Sequence, residues 1–396
     1  MLSNKAMGVS PSPTMAIDNK AKEMKSQGSD VIGFGAGEPD FDTPSHIREA
    51  AIKAINEGHT RYTPAAGTLE LKEAICRKLK RDNGLEYSPA QVVVSNGAKH
   101  SLFNALAALL NPGDEVLIPV PYWVSNPELV KLNDGIPVAM ETSKESGFKA
   151  SVEDLEIYRT GRTKALMLNS PCNPSGQVYS KVELKALADY CVEHNIYVIA
   201  DEIYEKLIYD DTGHHSIAAF NEQVKELTIV VNGASKSYAM TGWRIGYTAS
   251  SPEIAKIMAS VQSHTASNPN SIAQKAAVAA LDGSQECVEE MHLAFDERRK
   301  YMYDRIKNIP GLNCLEPRGA FYLFVNLEET EGKTFRGEKI GSSDDFARLL
   351  LESSQVAIVP GTGFGLSNYA RLSFATSMDN IVEGLNRIET FVKELE

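Results

Sequence analysis

The chain has 396 residues, more than one hydrophobic core usually supports, so a large domain with a smaller companion is expected. A hydrophobic fraction of 43% and a charged fraction of 23% are those of an ordinary soluble protein, and no apolar run is long enough to span a membrane. Forty Lys and Arg against 52 Asp and Glu leave a net charge of −12, which excludes a general nucleic-acid binder but not a local basic pocket for a small anion. Taken from the N-terminus, the first residues are polar, with no apolar core of an export signal. Apolar periodicity then predicts helices over 47–57 and 69–82, strand QVVVSN (91–96) and a helix over 100–110. EVLIPV (115–120), IPVAME (136–141) and KALMLNS (164–170) read as strands, followed by a helix over 181–194. IYVIAD (196–201), LTIVVN (227–232) and RIGYTA (244–249) are further strands, and a helix is predicted over 252–263. Several of these strands are apolar throughout, as when helices cover both faces, so an α/β fold with a doubly wound, mainly parallel sheet is expected. From about residue 286 the pattern changes. Helices over 286–308, 344–353 and 379–395 alternate with strands AFYLFVNL, QVAIVPG and YARLSFATS, which suggests a smaller α+β unit. The polar stretch 328–343 reads as a mobile loop. Cys76, Cys172, Cys191, Cys287 and Cys314 are odd in number and lack a CxxC pair, which fits a reducing cytoplasm better than a disulfide framework or zinc site.

Several segments carry chemistry. In TIVVNGASKSYAMTGWRIGY an apolar strand ends in Gly233, Ala234 and Ser235, small residues that let a bulky cofactor approach Lys236, and Arg244 follows with the fork geometry that suits a phosphate. NIYVIADEIY brings Asp201 to a strand end, with Tyr204 three residues on. NSPCNPSG holds Asn173 between two prolines on a rigid loop. In VVVSNGAKHS a strand meets a helix through Gly97 and Ala98, so backbone N–H groups are available to an anion, with Lys99 next in line. VPYWVS supplies Tyr122 and Trp123, AGEPDFDTP supplies Gly35 and Gly37, and RYTPAAG supplies Tyr62. YARLSFATS sets Arg371 on an alternating strand, where an inward-facing guanidinium needs an anionic partner. Other motifs fail. GFGAGEPD has Glu38 and Pro39 where a dinucleotide loop needs glycine and a helix, no HExxH or paired ligand helices point to a metal, and no GxSxG elbow is present.

The lysine segment SKSYAMTGWRIGY resembles the signature of class I pyridoxal-phosphate (PLP) dependent aminotransferases, and is similar to their aspartate aminotransferase branch. The resemblance runs from AGEPDFDTP to ARLSFATS and implies the fold type I PLP-dependent transferase architecture. That implies a large PLP-binding domain over 46–288 and a small domain from both chain ends, 1–45 and 289–396. It implies that Lys236 carries the cofactor as a Schiff base and moves the substrate proton. Asp201 contacts the ring nitrogen, Tyr204 and Asn173 share the ring oxygen, and Trp123 stacks on the ring. By the same resemblance Gly97, Ala98, Lys99 and Arg244 hold the phosphate, joined across a homodimer interface by Tyr62, and Ser235 is a further cofactor-binding residue. Arg371 grips the substrate α-carboxylate, with Gly37, Asn173 and Trp123 beside it, and Lys99 reads a distal carboxylate. The expected activity is ping-pong transfer of the amino group of L-aspartate to 2-oxoglutarate. Lys99 together with Thr14 keeps an aspartate/glutamate-prephenate aminotransferase open, and a PLP-dependent β-lyase is a third reading on the same fold.

Overall fold

The computed structural model describes residues 2–10 and 13–396, without the side chains at positions 4, 13–16 and 18, so Thr14 lies outside the described side chains. A seven-stranded sheet runs in the order Val92–Ser95, Gly246–Ala249, Thr228–Gly233, Tyr197–Asp201, Thr163–Asn169, Glu115–Pro119 and Ile136–Met140. Gly246–Ala249 is antiparallel to both its neighbours and the other pairings are parallel. Alternate residues face opposite layers. Val116, Ile118, Met167 and Ile199 meet Leu102, Leu106 and Met258 of helices Ala98–Leu109 and Pro252–Thr265. Leu117, Leu166, Leu168 and Val198 meet Leu184, Leu187 and Cys191 of helix Lys181–Glu193. The doubly wound arrangement therefore follows from strands that are apolar on both faces. Ile136–Met140 is the exception, an edge strand with mostly accessible side chains.

Parallel strands that share a direction present their C-terminal ends at one edge, where crossover loops leave room for a ligand. Asn169, Asp201 and Gly233 all end strands at that edge, and Ser95 does too, because two antiparallel steps restore its direction.

A four-stranded antiparallel sheet, in the order Val359–Pro360, Tyr369–Ser373, Tyr322–Asn326 and Asn313–Cys314, forms a second layer with helices Glu286–Lys307, Ser343–Ser354 and Met378–Lys393. QVAIVPG is not one strand. Val356–Ala357 pairs in parallel with Ile32–Gly33, and only Val359–Pro360 joins the four-stranded sheet, so the N-terminal segment claims the first half of the run. The stretch expected to be a mobile loop, 328–343, instead contains a hairpin of Thr334–Phe335 and Glu338–Lys339, because Phe335 and Ile340 are buried and Phe335 packs on Phe391. Helix Ser271–Asp282 was not expected. Its Ala-rich sequence has six buried positions and lacks the polar face that marks an amphipathic helix.

The loop after Asp201 is clamped from behind. Lys78, from helix Leu69–Asn83, ion-pairs with Glu205, and both side chains are almost fully buried. Asn83 donates to the same carboxylate at 2.8 Å, and His214 meets Glu202 at 3.2 Å. Against the penalty of burial, Lys78 and His214 hold the Glu205 carboxyl below its ordinary range. Lys78→Met takes away the ion-pair partner of that buried carboxylate, leaving it Asn83 and His214, and should cost about 3–5 kcal/mol in urea unfolding, whereas the double replacement Lys78→Met with Glu205→Leu should recover most of the loss.

Candidate active site

Helix Ala98–Leu109 begins two residues before the expected start, because Gly97 at φ 88° turns the chain out of the strand and caps it. That shift puts the helix N-terminus on the C-terminal edge of the sheet. A Cβ built on Gly97 would fall 2.4 Å from Arg244 Nη2, and one on Gly246 would fall 2.3 Å from the Ala98 nitrogen. Both glycines are thus required for Arg244 and the helix amides to converge. Arg244 is fixed by donating to the Thr241 carbonyl at 2.9 Å. A guanidinium beside a helix N-terminus is a cradle for a dianionic phosphate.

A cavity of about 550 Å³ opens beside this cradle and is lined by Ala98, Lys99, Trp123, Asn173, Asp201, Tyr204, Ser235, Lys236, Arg244, Gly37 and Arg371. Those eleven expected residues come together within one chain. Gly97 lies beneath Arg244, as described. Tyr62 does not join them; it is 92% exposed and stands away from the cavity of its own chain.

At the floor, burial pushes the carboxyl of Asp201 up to about 7 from 3.8, although the Ile203 N–H donates to it at 3.1 Å. Among the described residues no Lys, Arg or His forms an ion pair with it, and the charge of Lys236 offsets only part of the rise. Opposite, desolvation pulls the ammonium of Lys236 down to about 8 from 10.5, with Glu38 opposing the fall. Lys236 donates to the Gly37 carbonyl at 2.5 Å. A carboxyl and an amine that both titrate close to neutrality at one cavity can hold and release protons at working pH.

The upper wall is a cation site. Arg371 is 2% exposed, donates to Asn173 Oδ1 at 3.0 Å and to the Gly35 carbonyl at 2.8 Å, and has a buried Nε without a partner. Among the described residues no Asp or Glu pairs with this guanidinium, so its charge calls for an anion brought by a ligand. Asn173 sits in a turn closed by the Gly176 N–H donating to the Cys172 carbonyl at 2.9 Å, and its own N–H donates to Asn169 Oδ1 at 2.8 Å. Near the phosphate cradle, Lys99 lies 4.8 Å from the centroid of the Trp123 ring, and desolvation and the nearby Arg244 lower its pKa.

Several lining residues escaped sequence reasoning, Tyr322, Asn169, Lys22 and Lys25 among them. Tyr322 hydrogen-bonds Tyr204, hydroxyl to hydroxyl, at 2.9 Å, and it sits in an apolar strand that gives no polar signal. Asn169 donates to the Asp201 carbonyl at 3.1 Å; its place at a strand end was the available clue. Lys22 and Lys25, on helix Pro13–Ser26, border the mouth.

Comparison with known proteins agrees with this geometry. The family model for aminotransferase class I and II matches residues 29–388. The chain is 50% identical over 392 residues to an aspartate aminotransferase of Geobacillus stearothermophilus, covering 99% of each chain. It is 46% identical over 394 residues to an aspartate/prephenate aminotransferase of Nitrosomonas europaea, again with 99% of each covered. Among solved structures, the aspartate aminotransferase of Rhizobium meliloti superposes with a TM-score of 0.97 at 42% identity over 100% of both chains. That of Thermus thermophilus with maleate gives 0.93 at 42% identity over 99% of both.

Proposed function

Because the chain belongs to the class I and II aminotransferases, enzymes of fold type I that depend on PLP, we propose that it moves the amino group of L-aspartate to 2-oxoglutarate. The observation that carries the reading is the buried, carboxylate-free guanidinium of Arg371 facing the same cavity as Lys236 and Asp201. The cavity fits PLP by its chemistry. Asp201 is a buried carboxyl that a ring N–H would satisfy, Lys236 is a desolvated amine, and Gly97, Ala98, Ser235 and Arg244 form the anion cradle.

When bound, PLP supplies an aldehyde that takes the amine and a ring that accepts the electron pair released from Cα. The chain does the rest. Asp201 holds a proton on the ring nitrogen, and Tyr204 and Asn173 donate to the ring oxygen. Trp123 covers the ring face. Arg371 fixes the α-carboxylate with two parallel hydrogen bonds, which selects amino and oxo acids over amines and sets one Cα–H bond toward Lys236. Gly37 lends backbone to the same carboxylate. Lys236, whose amine is partly neutral near pH 7, takes the proton from Cα and returns it.

Tyr62, so exposed here, reaches the phosphate of a second subunit in the homodimer we propose. Ile52, Ile55 and Leu69, exposed apolar residues close to it in sequence, support an interface on that side. The cofactor is carried by a domain over 46–288, with 1–45 and 289–396 forming the smaller one, and five free thiols favour the cytoplasm.

Lys99 decides among substrates, since it lines the same cavity as Arg371 and offers a second cation there. In a spectrophotometric screen of the holoenzyme against single amino acids, aspartate and glutamate should bleach the bound cofactor's visible band fastest. Lys99→Ala should lower kcat/KM for aspartate by about 10- to 100-fold while changing that for alanine by less than about 3-fold. Equal losses would remove Lys99 from this role. Prephenate belongs in the same screen, because a relative at 46% identity is an aspartate/prephenate aminotransferase.

A further inference from the structure

Tyr322 opens strand Tyr322–Asn326, which runs antiparallel to Tyr369–Ser373 with Tyr322 opposite Ser373 and Phe324 opposite Arg371. In such a ladder the diagonal neighbour two residues away shares a face, so Tyr322 and Arg371 project to the same side. The ring of Tyr322 is fully buried, and the Cζ of Arg371 sits 4.3 Å from its centroid. On its other side the hydroxyl meets that of Tyr204 at 2.9 Å, with the two rings edge to face, their centroids 5.9 Å apart at 79°. A Cβ on Gly37 would lie 3.7 Å from the same hydroxyl, so Tyr322 also abuts the loop whose carbonyl receives Lys236.

We propose that Tyr322 is a positioning residue that acts on both halves of the site, its hydroxyl setting the phenol of Tyr204 and its ring setting the plane of the Arg371 guanidinium. This rests on the roles given above to Tyr204 and Arg371. A phenol has one proton. If Tyr204 gives its proton to the cofactor's ring oxygen, the proton in the 2.9 Å bond comes from Tyr322, and a phenol that accepts a hydrogen bond becomes a stronger donor. A phenylalanine at 322 would fill the same space and leave the ring over Arg371 in place, but it would take that proton away. A leucine would remove the ring as well, exposing one face of a buried cation that aromatic electrons otherwise stabilise.

The two contacts are separable by experiment. The visible absorbance of the bound cofactor is titrated with pH in the holoenzyme and in Tyr204→Phe, Tyr322→Phe and Tyr322→Leu, and succinate binding is measured by calorimetry in each. Losing a donor leaves more negative charge on the ring oxygen and favours the protonated cofactor. Tyr204→Phe should therefore move the midpoint upward, and Tyr322→Phe should move it the same way by less. Tyr322→Phe should bind succinate as the parent does, whereas Tyr322→Leu should bind it about 3- to 30-fold more weakly. If Tyr204→Phe shifts the midpoint and Tyr322→Phe does not, the hydroxyl has no such role. A Tyr204→Phe midpoint equal to the parent's would instead overturn the assignment of Tyr204. Equal succinate affinity in the Phe and Leu variants would refute the contact with Arg371. Should Tyr322→Leu fail to fold, the nearly isosteric Phe variant still decides the first half.

Discussion

Lys236→Ala should lower transamination by at least about 10⁴-fold, because the proposed mechanism makes one side chain both the covalent anchor and the proton carrier. Its amine is already partly neutral near pH 7, and the neighbouring Gly37 carbonyl holds it at the cavity wall. Borohydride treatment of the parent holoenzyme should leave a pyridoxyl mark on the peptide containing Lys236, and the variant should show none. The loss should not come from misfolding, since Lys236 forms no ion pair among the described residues and helps no core cluster. Unfolding free energies from urea titration within about 1 kcal/mol of the parent would establish that. A variant that retained a tenth of the parent's activity would sink the assignment of this lysine.

Asp201→Asn should produce opposite changes in activity and in the stability of the cofactor-free protein. An amide cannot balance a protonated ring nitrogen, so activity should fall by about 10²–10³-fold. Stability follows from the carboxyl's shift. The unfolded chain gives up this proton near 3.8 and the folded chain at about 7, so across that interval the folded state binds more protons. Stability of the cofactor-free protein must then decrease as pH rises through the interval and level off above it, by an amount on the order of a few kcal/mol. Asn carries no such penalty. The cofactor-free variant should melt above the parent at about pH 8 and lose that advantage at about pH 4, and added PLP should reverse the order at the higher pH. A pH-independent difference in melting would show that burial of the charge is not the cause.

Charge and strand ends made part of the site legible, although Asn169, at a strand end, and Lys22 and Lys25 gave no signal that set them apart. Lys236, Asp201, Arg244 and Arg371 each stand beside an apolar run, which alone left bland readings open; the resemblance of their segments to the family's motifs singled them out, and the four line one cavity. Trp123 and Asn173 followed from motif context, and both line the cavity. Tyr322 was hidden because a tyrosine inside AFYLFVNL satisfies the apolar pattern of a strand; only tertiary placement shows its hydroxyl against Tyr204. Helix Ser271–Asp282 was hidden for a related reason, since alanine favours a helix without marking which face is inside. The splitting of QVAIVPG depends on pairing with Ile32–Gly33, a contact between distant parts of the chain that no local window contains. Tyr62 looks unremarkable in a single chain because its expected partner is another copy.

The pairing of Ile32–Gly33 with Val356–Ala357, and the bond from Arg371 to the Gly35 carbonyl, also set an order of maturation. A ribosome finishes the lysine and its carboxylate neighbour well before it makes the strand that bears Arg371. Tyr204 and the guanidinium of Arg371 gain their partners, Tyr322 and the Gly35 carbonyl, only once the last quarter of the chain has been made and packs back onto the earlier residues.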